Sequence, residues 1–484
     1  MIKENVKRSN TTLRSTWKML KEQKTLPDLF HAIPDINKEV IPTILLSILA
    51  TLAINATLFA KLDHAIFAFP MALHPAFISI GYLGLIYGVF ILLWHHYNSK
   101  TEYKTPWQYL RVNGLWIFLL LMLIWSTIST VFSTNPDISF FGANYRIDGL
   151  LSYYAYAGIF VLAINVRDKQ RIKLIIEIFA GSSALLALLC LINNPSINTF
   201  FKLTKNQAIF YNINHYGYYL CIALMSTVLL ATVDKRPKND FKLAISMILH
   251  FAELMLLSNA LIICKSLGPF LAVNCALVAL LIFTLFVDKS KVKRIFTIIT
   301  FIYLIFAISS ISYWDLKHEI KRLVLDLGII EGTFLGELED EDAINRIGSS
   351  RGVLWINAVK FIRERPLLGY GPDNLGERYA EVNAKNDRPH NEILQFAASL
   401  GIPAAIFYLL AMSCHLLMFI RNFKNIAMTI LCAYCIIGAY LISSLFGNTM
   451  FYTTPFYFML LGLSYSLIRP VEDGASENTI LRVM

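Results

Sequence analysis

"LGPFLAVNCALVALLIFTLFV", residues 267–287, contains no charged side chain. A bilayer hydrocarbon core about 30 Å thick needs roughly 20 apolar residues in a helix, and this run has that length. Working outward, comparable runs fall at about 40–60, 75–97, 112–133, 149–166, 174–193, 215–233, 243–264, 295–314, 394–420, 426–446 and 450–468. The whole chain agrees. Of its 484 residues 56% are hydrophobic and only 16% charged, with a mean hydropathy of +0.55, more apolar surface than a soluble core hides. Backbone groups in lipid must bond within a helix or around a closed barrel, and these runs are too long and too uniformly apolar for alternating barrel strands. The expected fold is an all-α polytopic membrane protein with about 12 transmembrane helices.

The Lys and Arg residues set its orientation. Eight of them precede residue 40, and every second loop is basic: Lys100, Lys104 and Arg111; Arg167, Lys169, Arg171 and Lys173; Lys235, Arg236, Lys238 and Lys242; Lys289, Lys291, Lys293 and Arg294; Arg421 and Lys424; then Arg469. These loops and both termini are expected on the cytoplasmic side. Residues 315–391, between spans 9 and 10, instead mix 11 Lys/Arg with 14 Asp/Glu, and are expected to form one long, partly helical extracytoplasmic loop. The expected organisation is a basic cytoplasmic tail (1–39), spans 1–9 (40–314), the outer loop (315–391), spans 10–12 (392–468) and a second cytoplasmic tail (469–484).

The formal net charge of +10 is divided among short loops, without the basic face and interleaved aromatics of a nucleic-acid binder. No nucleic-acid partner is expected. The first apolar run begins near residue 40, behind a polar tail, so the first helix is expected to act as a signal anchor rather than a cleaved signal. "STWKMLKEQKTLPDLF", residues 15–30, fits either a basic interfacial helix on anionic lipid or a solvated tail. All seven cysteines lie in apolar runs, which argues against a disulfide framework or a zinc site. Cys432 and Cys435, one turn apart, read as packing residues, and the acidic "ELEDED" of residues 337–342 as a solvated loop. Twelve helices also suit a transporter, but the chain shows no internal repeat and its long loop is placed asymmetrically. Within the runs, His250 and Glu253 form the clearest ionisable pair, one helical turn apart.

The outer loop carries helical patterning. "DLKHEIKRLVLDLG", residues 315–328, has apolar positions at helical spacing and a closing glycine. In "SSRGVLWINAVKFIRERP", residues 349–366, Arg351, Trp355 and Ala358 share one helix face and Pro366 stops it. "LLGYGPDN", residues 367–374, puts Gly369 and Gly371 where backbone can approach a ligand closely, although a plain turn accounts for the same residues. "DRPHNEILQ", residues 387–395, then places His390 at the boundary of span 10, with Asn391 and Glu392 positioned to cap the following helix and orient the imidazole.

These segments, R-x-x-L-W-x-x-A from Arg351, then P-L-L-G-Y-G-P-D-N, then H-N-E-I-L-Q-F-A-A-S-L-G-I-P, resemble the signature of the O-antigen ligase and polymerase superfamily, bacterial membrane glycosyltransferases of the GT-C type. "FFGANYRIDGLLSYYAY" (residues 140–156) resembles the family's G-x-x-x-R-x-x-G-L segment, "FYNINHYGYYL" (210–220) its N-x-N start of span 6, and "SSLFGNTMFYTTPFYFMLLGL" (443–463) its C-terminal pair of spans. The resemblance extends over residues 110–465. It implies a donor glycan carried on undecaprenyl pyrophosphate, handled at the outer face of the cytoplasmic membrane. Carried onto this chain, it makes His390 the catalytic base, Arg351 the first arginine on the pyrophosphate, and Arg146 a further phosphate or sugar contact. Asn212, Asn214, Gly369, Gly371 and Asn391 complete the donor-binding set. One departure stands out: the family's S-R-G at the start of span 8 is Ser266-Leu267-Gly268 here, with Lys265 just before it. A lysine holds phosphate as a point charge, not as a bidentate fork.

The chemistry supports the same roles. A lipid pyrophosphate is a good leaving group, so the needs are charge stabilisation of that group and deprotonation of the attacking hydroxyl. Arginine or lysine serves the first without a metal, and a neutral histidine serves the second. Neither metal nor cofactor is expected, and a single displacement inverts the anomeric carbon; no pair of outer carboxylates is spaced for a retaining route. The acceptor, a glycan or glycolipid, is not legible. A ligase, a polymerase of lipid-linked repeat units, and a polysaccharide flippase or transporter without chemistry all stay open, as does a His390 that only hydrogen-bonds its loop. The Lys-, Asn- and Ile-rich composition is compatible with a low-GC bacterium, in which a wall polysaccharide or teichoic-type polymer is the expected product rather than lipopolysaccharide.

Overall fold

A computed structural model describes residues 38–62, 73–98, 106–143, 146–201, 203–210, 212–233, 240–334, 341–384, 386–448 and 450–469, together with positions 25, 27, 28 and 30. Most of the N-terminal tail, residues 337–340 of the acidic run, the basic positions 235–238 and the tail after residue 469 lie outside these described residues. Among the described residues no strand forms; Thr204 and Ala208 make one isolated bridge. The helices are α1 (Val40–Leu62), α2 (Leu73–Asn98), α3 (Pro106–Val131), α4 (Pro136–Phe141), α5 (Leu150–Ile164), α6 (Lys169–Ile192), α7 (Pro195–Phe201), α8 (Ile213–Val233), α9 (Asp240–Ile263), α10 (Leu267–Val287), α11 (Val292–Tyr313), α12 (Leu316–Phe334), α13 (Glu341–Glu364), α14 (Gly376–Glu381), α15 (Glu392–Leu400), α16 (Ile402–Asn422), α17 (Met428–Ser444) and α18 (Thr454–Ile468).

Eight of them, α2, α3, α6, α8, α9, α10, α11 and α16, are long and apolar enough to cross a membrane. Residues Val40–Ile54 of α1, and α5, α17 and α18, are apolar but shorter. Two expectations need correction. The run 394–420 is not one span: Gly401, at φ 93°, separates α15 from α16, because a Cβ there would lie 1.9 Å from the Leu367 carbonyl oxygen. Gly328 does not close α12, which continues to Phe334; an isolated glycine weakens a helix without ending it.

The bundle is built around α8, whose residues from His215 to Thr232 are all buried, packed by α6, α9, α10 and α17. Small residues let other helices approach backbone to backbone: a Cβ on Gly158 of α5 would lie 1.8 Å from the Gly81 carbonyl oxygen of α2. In α9, His250 Nδ1 lies 3.3 Å from Glu253 Oε2, pairing the two ionisable groups one turn apart. The segment from α13 to α15 has a small core of its own, Leu354, Phe361, Tyr370, Leu375, Tyr379 and Ala398. This core fixes α13 and α14 on α15, and with them the chain that leads to His390.

Candidate active site

The site forms at one end of the bundle, where the chain before α5, the start of α8 and the α17–α18 connection meet the segment between α13 and α15. Its foundation is a backbone clamp. The N–H groups of Tyr370 and Gly371 donate to the carbonyls of Ala398 (3.2 Å) and Ser399 (2.7 Å) at the end of α15, and Ile402 N–H donates to Pro366 (2.8 Å). Gly369 and Gly371 adopt φ of 63° and 98°. A Cβ on them would lie 2.4 Å from the Ser399 carbonyl oxygen and 2.1 Å from Ser139 Oγ. Both glycines make a close approach to protein, Gly369 to the end of α15 and Gly371 to Ser139.

The clamp delivers Asp373 to a buried charge network. One oxygen of Asp373 accepts from the N–H groups of Ala143 (2.7 Å) and Asp148 (3.2 Å); the other accepts from Arg388. Arg388, 2% exposed, also lies 3.8 Å from Asp148 and 3.6 Å from Asp387. Asp387 in turn receives both arms of Arg146, at 2.9 and 2.8 Å. Burial opposes the charge of Arg388, yet the three carboxylates Asp373, Asp387 and Asp148 hold its pKa above the usual arginine range. Burial likewise raises Asp387, but Arg388 and Arg146 outweigh it and keep this carboxyl below its ordinary value.

Asp148 is the member in excess. Burial pushes its pKa up to about 7, against the pull of Arg388 and of the Tyr156 hydroxyl at 2.8 Å. With Asp148 protonated, two guanidiniums face two carboxylates and the network is neutral. A carboxyl whose folded pKa is raised contributes stability at low pH that is lost as pH rises through that value. Melting temperatures measured from pH 5 to pH 8 are therefore expected to fall toward the alkaline end. Asp148→Asn should flatten that fall; an unchanged pH dependence in the variant would contradict the assignment.

His390 follows this network directly. Its φ of 52° is uncommon for a residue with a Cβ, and such backbone persists where the surroundings over-determine it. Arg388 is locked two residues before it. One residue after it, Asn391 caps α15, accepting from Leu394 N–H (3.0 Å) and donating to the Leu445 carbonyl (3.1 Å). Glu392, 1% exposed, accepts from the hydroxyls of Tyr408 and Tyr440, each at 3.2 Å. The side-chain amide of Asn448 reaches His390 Nδ1 at 3.1 Å. Burial, then the charges of Arg351, Arg146 and Arg388, push the His390 pKa down to about 3, so the imidazole is neutral at physiological pH.

Arg351 lies on α13, one to two turns before Trp355 and the fully buried Ala358. Its charge reaches His390, and among the described residues it has no ion-pair or hydrogen-bond partner. Arg146 and Arg388 are committed to carboxylates; Arg351 is open to an anion. The structure brings His390, Arg351, Arg146 and Asn391 together. The expected residues Asn212, Asn214 and Lys265 lie at the start of α8 and the α9–α10 junction. The Asn212 side chain accepts from Asn214 N–H (2.7 Å), and Asn214 accepts from Ser266 Oγ (2.8 Å), fastening the start of α8 to the α9–α10 junction. Lys265 is exposed at that junction, in the left-handed conformation at φ 53°.

Sequence reasoning missed Arg388, Asp387, Asp373, Asp148, Asn448 and His215. His215 is buried in the first turn of α8, where its Nδ1 has no hydrogen-bond partner among the described residues and the charges of Arg146, Arg388 and Asp387 reach it. The signal available was the spacing of charges inside quoted segments: Asp148 two residues after Arg146, and Asp387 and Arg388 just before His390.

Fold and site together define a multi-helix membrane protein with a neutral histidine set among arginines at one end of its bundle. Residues 252–409 match the O-Antigen ligase family. The match supports a likeness to the O-antigen ligase and polymerase superfamily and to membrane glycosyltransferases of that type. The match takes in Lys265, Arg351, Gly369, Gly371, His390 and Asn391; Arg146, Asn212, Asn214 and Asn448 lie outside it. It is narrower than the resemblance over residues 110–465. No curated protein matches the chain.

Proposed function

We propose that the chain transfers a glycan from undecaprenyl pyrophosphate to an acceptor hydroxyl at the outer face of a bacterial cytoplasmic membrane, as a ligase in cell-surface or cell-wall polysaccharide synthesis. The observation that carries this reading is a neutral, deeply set imidazole surrounded by Arg351, Arg146 and Arg388. His390 takes the proton of the attacking hydroxyl, while Arg351, with Arg146 behind it, stabilises charge on the departing pyrophosphate. One displacement of this kind inverts the anomeric carbon and requires no metal. An apolar cavity of about 540 Å³ between α2, α3 and α5 suits a lipid chain. Tyr156, whose hydroxyl donates to Asp148, is among its lining residues.

The topology of the reading is twelve spans, with α1, α5, α17 and α18 crossing as shorter helices, both termini cytoplasmic and residues 315–391 outside. The distribution of Lys and Arg supports it. A polymerase that joins lipid-linked repeat units shares the donor site and differs only in the acceptor.

The test uses purified full-length protein, undecaprenyl-pyrophosphate glycan and candidate acceptors. Arg351→Ala is expected to lower transfer by about 10²-fold or more, the usual loss when one charge-stabilising donor is removed, with the protein still folded. Undiminished transfer would remove Arg351 from the donor site. A longer lipid-linked chain as product identifies a polymerase, and a new acceptor conjugate a ligase. A reporter inserted after Asp340 should be extracytoplasmic; a cytoplasmic signal there overturns the orientation.

A further inference from the structure

The base role proposed for His390 sets a condition on its tautomer. A neutral imidazole has one N–H and one lone pair. To take a proton on Nε2, it must carry its own proton on Nδ1, and Nδ1 must then face an acceptor. The group facing Nδ1 is the side-chain amide of Asn448, 3.1 Å away. Asn448 is 6% exposed, and with Nδ2 toward the imidazole its Oδ1 is buried without a hydrogen-bond partner among the described residues. The two ends of an amide differ by one rotation, and the hydrogen-bond network assigns them. Turning the amide gives Oδ1 the Nδ1 proton to accept. It also turns the two Nδ2 protons toward the space that Oδ1 now fills.

We infer that Asn448 is the positioning residue that fixes the reactive tautomer of His390, its Oδ1 accepting from Nδ1 so that the Nε2 lone pair faces the acceptor hydroxyl. This rests on the base role of His390. The connection between α17 and α18 is built to hold Asn448 there. The Tyr218 hydroxyl donates to the Phe446 carbonyl at 2.7 Å, and Asn391, next to His390, donates to the Leu445 carbonyl at 3.1 Å. Gly447 lies flat on the Tyr218 ring, where a Cβ would come within 2.3 Å of ring atoms. Asn391 thus ties the backbone beside His390 to the connection that carries Asn448, and Asn448 meets the imidazole at Nδ1. The arrangement parallels nucleophile–base pairs in which an asparagine orients the histidine.

Two readouts test it. The first needs no substrate: ¹⁵N spectra of histidine-labelled full-length protein, with the His390 signal among the ten histidines identified by difference from His390→Gln. Wild-type protein should show Nδ1–H at His390, and Asn448→Ala should lose that preference. An Nε2–H tautomer in the wild type overturns the inference. The second is kinetic. Asn448→Ala should lower kcat by about 10- to 100-fold, the usual cost of losing an orienting partner, with KM for the lipid-linked donor little changed. In Asn448→Asp the carboxylate opposes Arg351, Arg146 and Arg388, adds to Asp387, and favours the protonated imidazole. Its rate should therefore gain a new acidic limb. A folded Asn448→Ala protein with wild-type kcat sinks the inference while leaving His390 as base. Full activity in His390→Ala instead removes the base role, and the inference falls with it.

Discussion

Arg388→Ala is expected to destabilise the protein more than any other single replacement around the site. Arg388 and Asp373 are each 2% exposed in their side chains, and Asp148 5%. Removing the guanidinium leaves Asp373 and Asp387 charged in a buried site with only Arg146 opposite them. Breaking a buried ion pair from one side typically costs about 3–5 kcal/mol, because the remaining charge stays desolvated. Asp373 also holds the N–H groups of Ala143 and Asp148, so its displacement loosens the chain that carries Arg146. Arg388→Lys should recover only part of the loss, since an ammonium cannot span three carboxylates as a planar fork does. The measurement is the apparent melting temperature in detergent, with Lys173→Ala as the control, because that lysine pairs with Glu177 on the exposed face of α6 and such pairs contribute about 1 kcal/mol or less. A wild-type melting temperature for Arg388→Ala would show that the network is not structural.

Arg388 also marks the limit of what the sequence discloses. In "DRPHNEILQ" it stands beside an aspartate in a polar loop, the pattern of a solvated pair, and nothing local says that its partners lie 15 and 240 residues away at Asp373 and Asp148. Pairing across such separations is a property of the packed bundle. Features set by local chemistry were legible: the apolar run of α10 from its length, the stop of α13 before Pro366, the Asn391 cap of α15 and the His250–Glu253 pair. Gly369 and Gly371 were legible only as freedom of the backbone, and Gly401, inside an apolar run, was not legible as a break. Which neighbour used that freedom, a ligand or the end of α15, depended on a contact the sequence does not encode locally. The same holds for α17 and α18: each is apolar yet shorter than a full span, so composition finds them and leaves their boundaries to packing.

The largest kinetic effect is expected from His390→Ala. A positioned base typically contributes about 10²–10⁴-fold to rate, and the loss should fall in kcat. Retained donor binding would separate chemistry from folding. The wild-type pH profile carries a sharper test. A base acts in its deprotonated form, so activity is present above its pKa and lost as pH falls through it. For His390 that value lies at about 3, from burial and then the charges of Arg351, Arg146 and Arg388. The free-enzyme profile of kcat/KM should therefore show no imidazole limb between pH 5 and 8, where an ordinary histidine near 6.5 would give one. Arg351→Ala removes the largest of the three charge contributions, so the His390 pKa should rise and the acidic limb move toward neutrality. A wild-type limb near pH 6.5 that disappears in His390→Ala would mean that the imidazole is far more open to water than its setting among Arg351, Arg146 and Arg388 allows.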